Sequence, residues 1–198
     1  MKTNVNFSKL SQKAILTYNN IFASAKEEFS SKGYVNTTIQ SIAKNAKVSV
    51  GCVYKYFNNK DELYHFVIVN EQKSIRLALN ETIKNLATRE EKELAGLKTW
   101  LYYVRDNPGI YKLIWEALFI DMEVFSSYYS TFSASYSKAL KRDADQLRAD
   151  DLDTISYILI GISNFLGIKM LVDKNTSDEQ IDSMAKTAIK VLKNGFLK

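Results

Sequence analysis

Residues 21–63 read IFASAKEEFSSKGYVNTTIQSIAKNAKVSVGCVYKYFNNKDEL, and the fold is decided within them. The stretch opens inside a longer segment, Ser11 to Ser31, whose Ile15, Tyr18, Ile21, Phe22, Ala25 and Phe29 recur at spacings of three and four, the period that sets them on one face of a helix. Gly33 closes that helix. Thr37 stands where a cap would open a second helix, with Gln40 three residues on to complete a capping box, and the helix is expected to reach about Ala46. Lys47-Val48-Ser49 interrupts, and Ser49 caps a third short helix that runs through about Tyr56. Asn59 then caps a long helix from Lys60 to about Ala87, with Asp61 and Glu62 in the first turn, where acidic side chains favour the helix dipole.

Two short helices joined by a three- or four-residue turn and backed by an amphipathic helix make a helix-turn-helix unit when their facing surfaces are apolar. Ile39, Ile42, Ala43, Ala46, Val48 and Val53 are spaced to form that small core. The third helix then offers Val50, Gly51, Cys52, Tyr54, Lys55 and Tyr56 outward: a glycine that admits a nucleic-acid backbone, a cation, and phenol hydroxyls suited to phosphate oxygens. Charge points the same way. Residues 1 to 60 hold nine lysines and two glutamates, a balance of +7 in a chain of net +5, so the remainder is −2. That asymmetry suits a first segment that meets a polyanion.

At this point the stretch resembles the N-terminal signature of the TetR family. Ala25, Phe29, Gly33, Thr38, Ile42-Ala43, Ala46, Val48-Ser49, Gly51, Tyr54, Phe57, Lys60 and Leu63 match it in order and at the family's spacing. The resemblance implies a DNA-binding domain over 1–58 and a ligand-binding and dimerisation domain over 59–198. It also implies phosphate-binding or capping hydroxyls at Thr38 and Ser49, a phosphate-binding Tyr54, and Lys60 beside the DNA backbone. Two positions depart from the pattern: Lys47 stands where glycine is usual in the turn, adding a charge near phosphates, and Tyr56 where histidine is common. Sequence readout is expected from Val50, Cys52 and Lys55. Residues 1 to 60 contain no arginine, the commonest reader of guanine, so an operator rich in A·T is expected, with one G per half-site read by Lys55.

Outward from the signature the chain reads as all-α, with about nine helices. Proline occurs once, at Pro108, and no run alternates at a strand-like period of two. Further helices are expected near 91–105, 108–122, 124–145, 151–172 and 178–197, and the charged run Arg89 to Glu93 reads as a solvated helix start. Trp100 to Tyr136 holds eleven aromatics in 37 residues, many with a polar end, which suits the wall of a ligand pocket. Trp100, Tyr103, Tyr111, Trp115, Phe119, Phe132, Tyr136 and Phe165 are the candidates by helical spacing, with Glu116 and Asp121 among them for a cationic effector. In the last two helices, Ile155, Leu159 and Ile162, and then Ile181, Met184, Ala185, Ala188, Ile189 and Leu192, are expected to build a homodimer interface, as the resemblance implies.

The inventory argues against an enzyme. One histidine, His65, and one cysteine, Cys52, stand alone, with no Gly-rich phosphate loop and no pair at metal-ligand spacing, so neither cofactor nor metal is expected. Cys52 reads as a small groove-facing side chain rather than a redox switch, since no second cysteine can resolve it. The richest apolar segment, Ile158 to Ile168, is about half the roughly 20 residues of a membrane span, and the N-terminus has no apolar run. A cytoplasmic regulator that meets operator DNA, a small-molecule effector and a second copy of itself is the resulting expectation. Its rivals are a regulator without a small-molecule ligand and a basic helical protein that binds DNA without sequence choice, which the capped short helices and Gly51 disfavour.

Overall fold

The computed structural model describes residues 11–147, 151–173 and 175–194. Among them are nine α-helices and no strand: α1 (Gln12–Asn36), α2 (Ile39–Asn45), α3 (Val50–Tyr54), α4 (Lys60–Ile83), α5 (Arg89–Asp106), α6 (Pro108–Ile120), α7 (Met122–Arg142), α8 (Leu152–Val172) and α9 (Asp178–Asn194). The all-α reading therefore holds, and every expected helix is found within a few residues. The last three residues of the expected 178–197 helix lie outside the described ones.

The chain forms two compact units. One comprises the described residues up to Glu71 together with Gly109–Ser126; the other comprises Gln72–Pro108 with the described part of Ser127–Lys198. This differs from a boundary at 58/59, for a packing reason. Leu63, Tyr64, Val67 and Ile68 on the first half of α4 are buried in the first unit. There the Tyr64 ring meets Phe29 and Tyr34 edge-on, and its hydroxyl donates to the Leu113 carbonyl of α6 at 3.1 Å.

Within that unit α1 does not stop at Gly33 but bends there and continues to Asn36. Gly33 sits at φ 74, ψ 174, a region essentially confined to glycine. A Cβ at that position would stand 3.0 Å from the Glu116 carboxylate, which accepts the Tyr34 N–H at 2.9 Å. Gly109, near the start of α6, has a related need: a Cβ there would come within 2.3 Å of the Ser30 carbonyl oxygen.

In the second unit, α5 packs on α8 and α9. Leu97, Trp100, Leu101, Val104, Leu159, Ile160, Ile181, Ala185 and Ile189 are buried. Helix α8, 21 residues long, is long and apolar enough to cross a membrane by length and composition, which corrects the expectation that no stretch reaches that mark. One third of its most apolar window is buried within the structure. Its buried Ser156 and Asn164 exchange hydrogen bonds with Ser133 and Tyr129 of α7, at 2.6 and 3.0 Å. Internal polar groups satisfied this way are those of a packed bundle.

Candidate functional site

The reading head is built from caps. Thr38, not Thr37, opens α2: its Oγ1 accepts the Ser41 N–H at 3.0 Å while Ser41 Oγ accepts the Thr38 N–H at 3.3 Å. Thr37 is instead buried, its hydroxyl shared between the carbonyls of Gly33 and Glu28 at 2.8 and 3.1 Å. The kink at Gly33 brings that threonine into the core, a tertiary effect that the one-residue ambiguity of a Thr-Thr pair conceals. The other end of α2 closes in a Schellman motif: Val48 N–H donates to Ala43 O at 3.0 Å and Lys47 N–H to Lys44 O at 3.2 Å. That motif needs a left-handed residue, and Lys47, at φ 56, is the non-glycine with positive φ among the described residues. The departure noticed in the sequence thus falls on the position where glycine costs least.

Ser49 caps α3, its hydroxyl accepting the Cys52 N–H at 3.2 Å. Ile39, Ile42, Ala43, Ala46 and Val53 are buried between the short helices, and Val48 is half-buried. Thr38, Lys47, Ser49, Gly51, Tyr54 and Lys55 are exposed, with Val50 and Cys52 half-exposed, and a Cβ at Gly51 would meet nothing within 4 Å. Two candidates are committed elsewhere. Tyr56 turns inward, its ring edge-on to Tyr18 at 5.7 Å and its hydroxyl donating to Ala14 O at 3.3 Å. Lys60 donates to the carbonyls of Tyr34 and Thr37 at 3.0 and 3.1 Å, with its ammonium 4.0 Å from the Tyr34 ring centre. Its charge therefore serves the C-terminal end of α1, where free carbonyls gather.

The positive balance is sorted by the structure. Lys26 pairs with buried Glu71 at 2.8 Å and Lys32 with Glu28 at 2.7 Å. The Lys32 ammonium holds the Glu28 carboxyl below its ordinary range, helped by a hydrogen bond from Ser41. Lys13, Lys44, Lys47 and Lys55 are exposed and make no ion pair among the described residues. Three of these four flank or occupy the turn and recognition helix. Lys2 and Lys9 lie outside the described residues.

The second unit contains a cavity of about 180 Å³. Leu79 and Ile83 of α4, Leu97 and Trp100 of α5, Phe132 and Ala139 of α7, Leu159 and Ile162 of α8 and Ile189 of α9 make its apolar wall. Of the eight aromatic candidates, Trp100, Phe132 and Tyr136 line it. Tyr103 does not. Tyr111 and Trp115 belong to the first unit, where their rings meet edge-on at 6.4 Å. Phe119 and Phe165, expected to face inward, are 85% and 69% exposed. Glu116 and Asp121, the carboxylates considered for a cationic ligand, are engaged in backbone work: Glu116 at Tyr34, and Asp121 accepting the Val124 N–H at 3.0 Å at the start of α7.

One side of the cavity is charged, and the run Arg89 to Glu93 is not the solvated helix start that its composition suggests. Thr88 and Glu91 form a capping box, but Arg89 is buried. It donates through Nε to Glu93 at 2.7 Å, reaches Asp143 at 3.4 Å, and lies 5.5 Å from the Tyr136 ring centre. Tyr136 donates to Glu93, and Lys92 to Asp143 at 2.8 Å. Burial and the neighbouring Glu93 charge hold the Tyr136 phenol well above its ordinary pKa, while Lys92 and then Arg89 hold the Asp143 carboxyl below its own. No sequence signal marked this network, because its members come from the start of α5 and the end of α7.

Residues 21–67 match the model of the tetR family of bacterial regulatory proteins. The chain is 44% identical over 50 residues to the HTH-type transcriptional regulator HbdR of Aromatoleum sp. (strain CIB), covering 25% of this chain and 22% of that protein. It is 32% identical over 75 residues to the fatty acid metabolism regulator protein of Bacillus subtilis (strain 168), covering 38% and 39%. The alignments thus span about a fifth and two fifths of these relatives' own length. The fold extends the likeness: the crystal structure of the transcriptional regulator FadR from Bacillus subtilis in complex with stearoyl-CoA superposes with a TM-score of 0.72 at 17% identity, over 91% of this chain and 100% of that one. Residues 21–67 thus carry the N-terminal segment characteristic of the TetR family.

A further surface lies on the last helices. Of the residues expected at a dimer interface, Leu159, Ile181, Ala185 and Ile189 are buried inside the second unit, Ile155, Ile162, Met184 and Ala188 are half-buried, and Leu192 is exposed. The exposed apolar positions of α8 are Tyr157, Ile158, Phe165 and Val172. A single sequence shows that α8 is apolar on more than one side, but not which side its own chain covers.

Proposed function

We propose that this regulator is a homodimeric repressor that holds a palindromic operator through two α3 helices and leaves it when a small molecule fills the α4–α9 cavity. One observation carries the DNA reading: a capped five-residue α3 beside a left-handed turn, with Gly51, Tyr54 and Lys55 exposed and three unpaired lysines on α2, the turn and α3. Backbone approach at Gly51, phosphate contact through Ser49 and Tyr54, and base-edge contact from Val50 and Cys52 and, at the C-cap, from Lys55 follow from a five-residue recognition helix entering the major groove. Two such helices about 34–36 Å apart meet successive grooves on one face of the duplex. The second copy docks on α8, where an apolar stripe that includes Ile158, Phe165 and Val172 otherwise faces water.

The effector we infer is an amphipathic molecule with an aliphatic body. Support comes from the apolar wall of the cavity and from the likeness to a regulator solved with stearoyl-CoA. Helix α4 is continuous from Lys60 through Ile83, so the element that buries Leu63 and Tyr64 beneath the reading head also lines the cavity with Leu79 and Ile83. A ligand acts through it by binding more tightly to a conformer with a different head separation. Its operator, like the regulator, would reside in the cytoplasm.

The test is selection of bound duplexes from a random library, followed by titration of the winners with acyl ligands. An inverted repeat rich in A·T, bound by a dimer and released by ligand, is the expected result. Binding that is blind to sequence would overturn the operator reading. An inverted repeat that no acyl ligand releases would overturn the effector reading alone.

A further inference from the structure

The charged groups on the cavity wall are Arg76, Arg89, Lys92 and Glu93, three cations and one carboxylate. Two of the cations are matched. Arg89 is bound by Glu93 and Asp143, and Lys92 by Asp143. Arg76 is different: among the described residues no carboxylate lies within ion-pair distance, and its guanidinium has a single long hydrogen bond, to Ser135 Oγ at 3.5 Å. That bond is exposed to solvent while the Arg76 side chain borders the cavity, so the guanidinium stands at the mouth, where α4 faces α7. Asn80, one turn further along α4, lines the same cavity and supplies a second polar group.

We propose that Arg76 is the head-group site of the cavity and that its ligand carries an anion at one end of an aliphatic chain. The inference rests on the effector reading above and adds what that reading lacks, the recognition of charge and the direction in which the ligand enters. A planar guanidinium with free donors takes a carboxylate or phosphate oxygen pair in two parallel hydrogen bonds. The chain then runs inward past Leu79, Ile83, Trp100 and Phe132, where each methylene it buries adds to affinity. An anion is not expected at Arg89, since it would have to displace two carboxylates already bonded there. A cationic head is disfavoured by the surplus positive charge. Free fatty carboxylates and acyl thioesters of phosphate-bearing carriers share this chemistry, and they differ in where the anion sits.

Trp100 lies in the wall and Trp115 in the other unit, so the full-length Trp115→Phe protein reports cavity occupancy through the emission of Trp100. In that background decanoate, decanoyl-CoA and decanol are titrated against Arg76 and against Arg76→Gln and Arg76→Lys. The expected result is that at least one of the two anions binds about tenfold more tightly than decanol, that Arg76→Gln removes this preference without changing decanol, and that Arg76→Lys keeps part of it. Whichever anion loses affinity in Arg76→Gln identifies the source of the head group. Equal binding of decanol and both anions, or an anion preference that survives Arg76→Gln, would overturn the proposal while leaving an acyl effector in place. If no ten-carbon probe binds, the effector reading falls and the head-group site with it. Unchanged operator affinity of the ligand-free Arg76→Gln protein shows that the variant is folded.

Discussion

At Lys55 and Tyr54 the two proposed kinds of DNA contact separate. Lys55 is the cation at the C-cap of α3, exposed and unpaired among the described residues, whereas the exposed Tyr54 hydroxyl is the proposed phosphate contact. Lys55→Ala is expected to relax base preference at one operator position, with a loss of about 1–3 kcal/mol on the preferred sequence, and Tyr54→Phe to weaken all sequences alike. Competition binding against single-base operator variants checks both. Lys47 poses a sharper trade. A left-handed non-glycine residue costs about 1–2 kcal/mol, partly offset by the greater chain entropy that glycine loses on folding. Lys47→Gly is therefore expected to raise the unfolding midpoint by about 2 °C while weakening operator binding. A midpoint that falls would show that the Lys47 side chain has a packing role in the turn.

Among the elements, α8 and the α5–α7 junction make separate predictions. Phe165 projects from α8 at 69% exposure, so Phe165→Glu costs the isolated chain little, yet it places a charge on the proposed seam. Sedimentation should find a monomer, and operator affinity should drop because two half-sites are no longer gripped together. A stable dimer would move the interface to another face. In the same unit Asp143 joins α5 to the end of α7 through Lys92 and Arg89. Its carboxyl titrates below its ordinary value, chiefly through the hydrogen bond from Lys92. A depressed folded pKa means that the stabilisation is complete above the unfolded value, about 3.9, and is lost as pH falls through the lower folded value. Asp143→Asn should cost about 2 kcal/mol at pH 7 and leave a shallower decline in stability below about pH 4. Urea midpoints measured across pH 2–7 provide the comparison.

Over the whole molecule, charge counts and charge effects part company. The first 60 residues carry +7, but Lys26, Lys32 and Lys60 are bound within the protein, so they release few counterions from DNA. Lys32→Gln should leave the slope of log affinity against log salt unchanged, whereas Lys44→Gln, Lys47→Gln or Lys55→Gln should each flatten it by about one per protomer. Equal effects at all four would mean that the bound lysine is drawn to phosphate when DNA arrives. What the sequence by itself determined is local: helix periods, the Ser49 cap, the turn at Lys47, and the order of residues that matches the TetR-family N-terminal segment, since each is written within a few neighbouring positions. The tertiary structure alone decided which of two adjacent threonines caps α2, which lysines remain free, and which face of α8 is bare. It also turned Phe119 and Phe165 out of the expected pocket and brought Arg76, Arg89 and Tyr136 to a common cavity. Those outcomes depend on contacts between residues tens of positions apart, and helical period, which repeats every 3.6 residues, carries no information about which neighbouring helix will cover a given face.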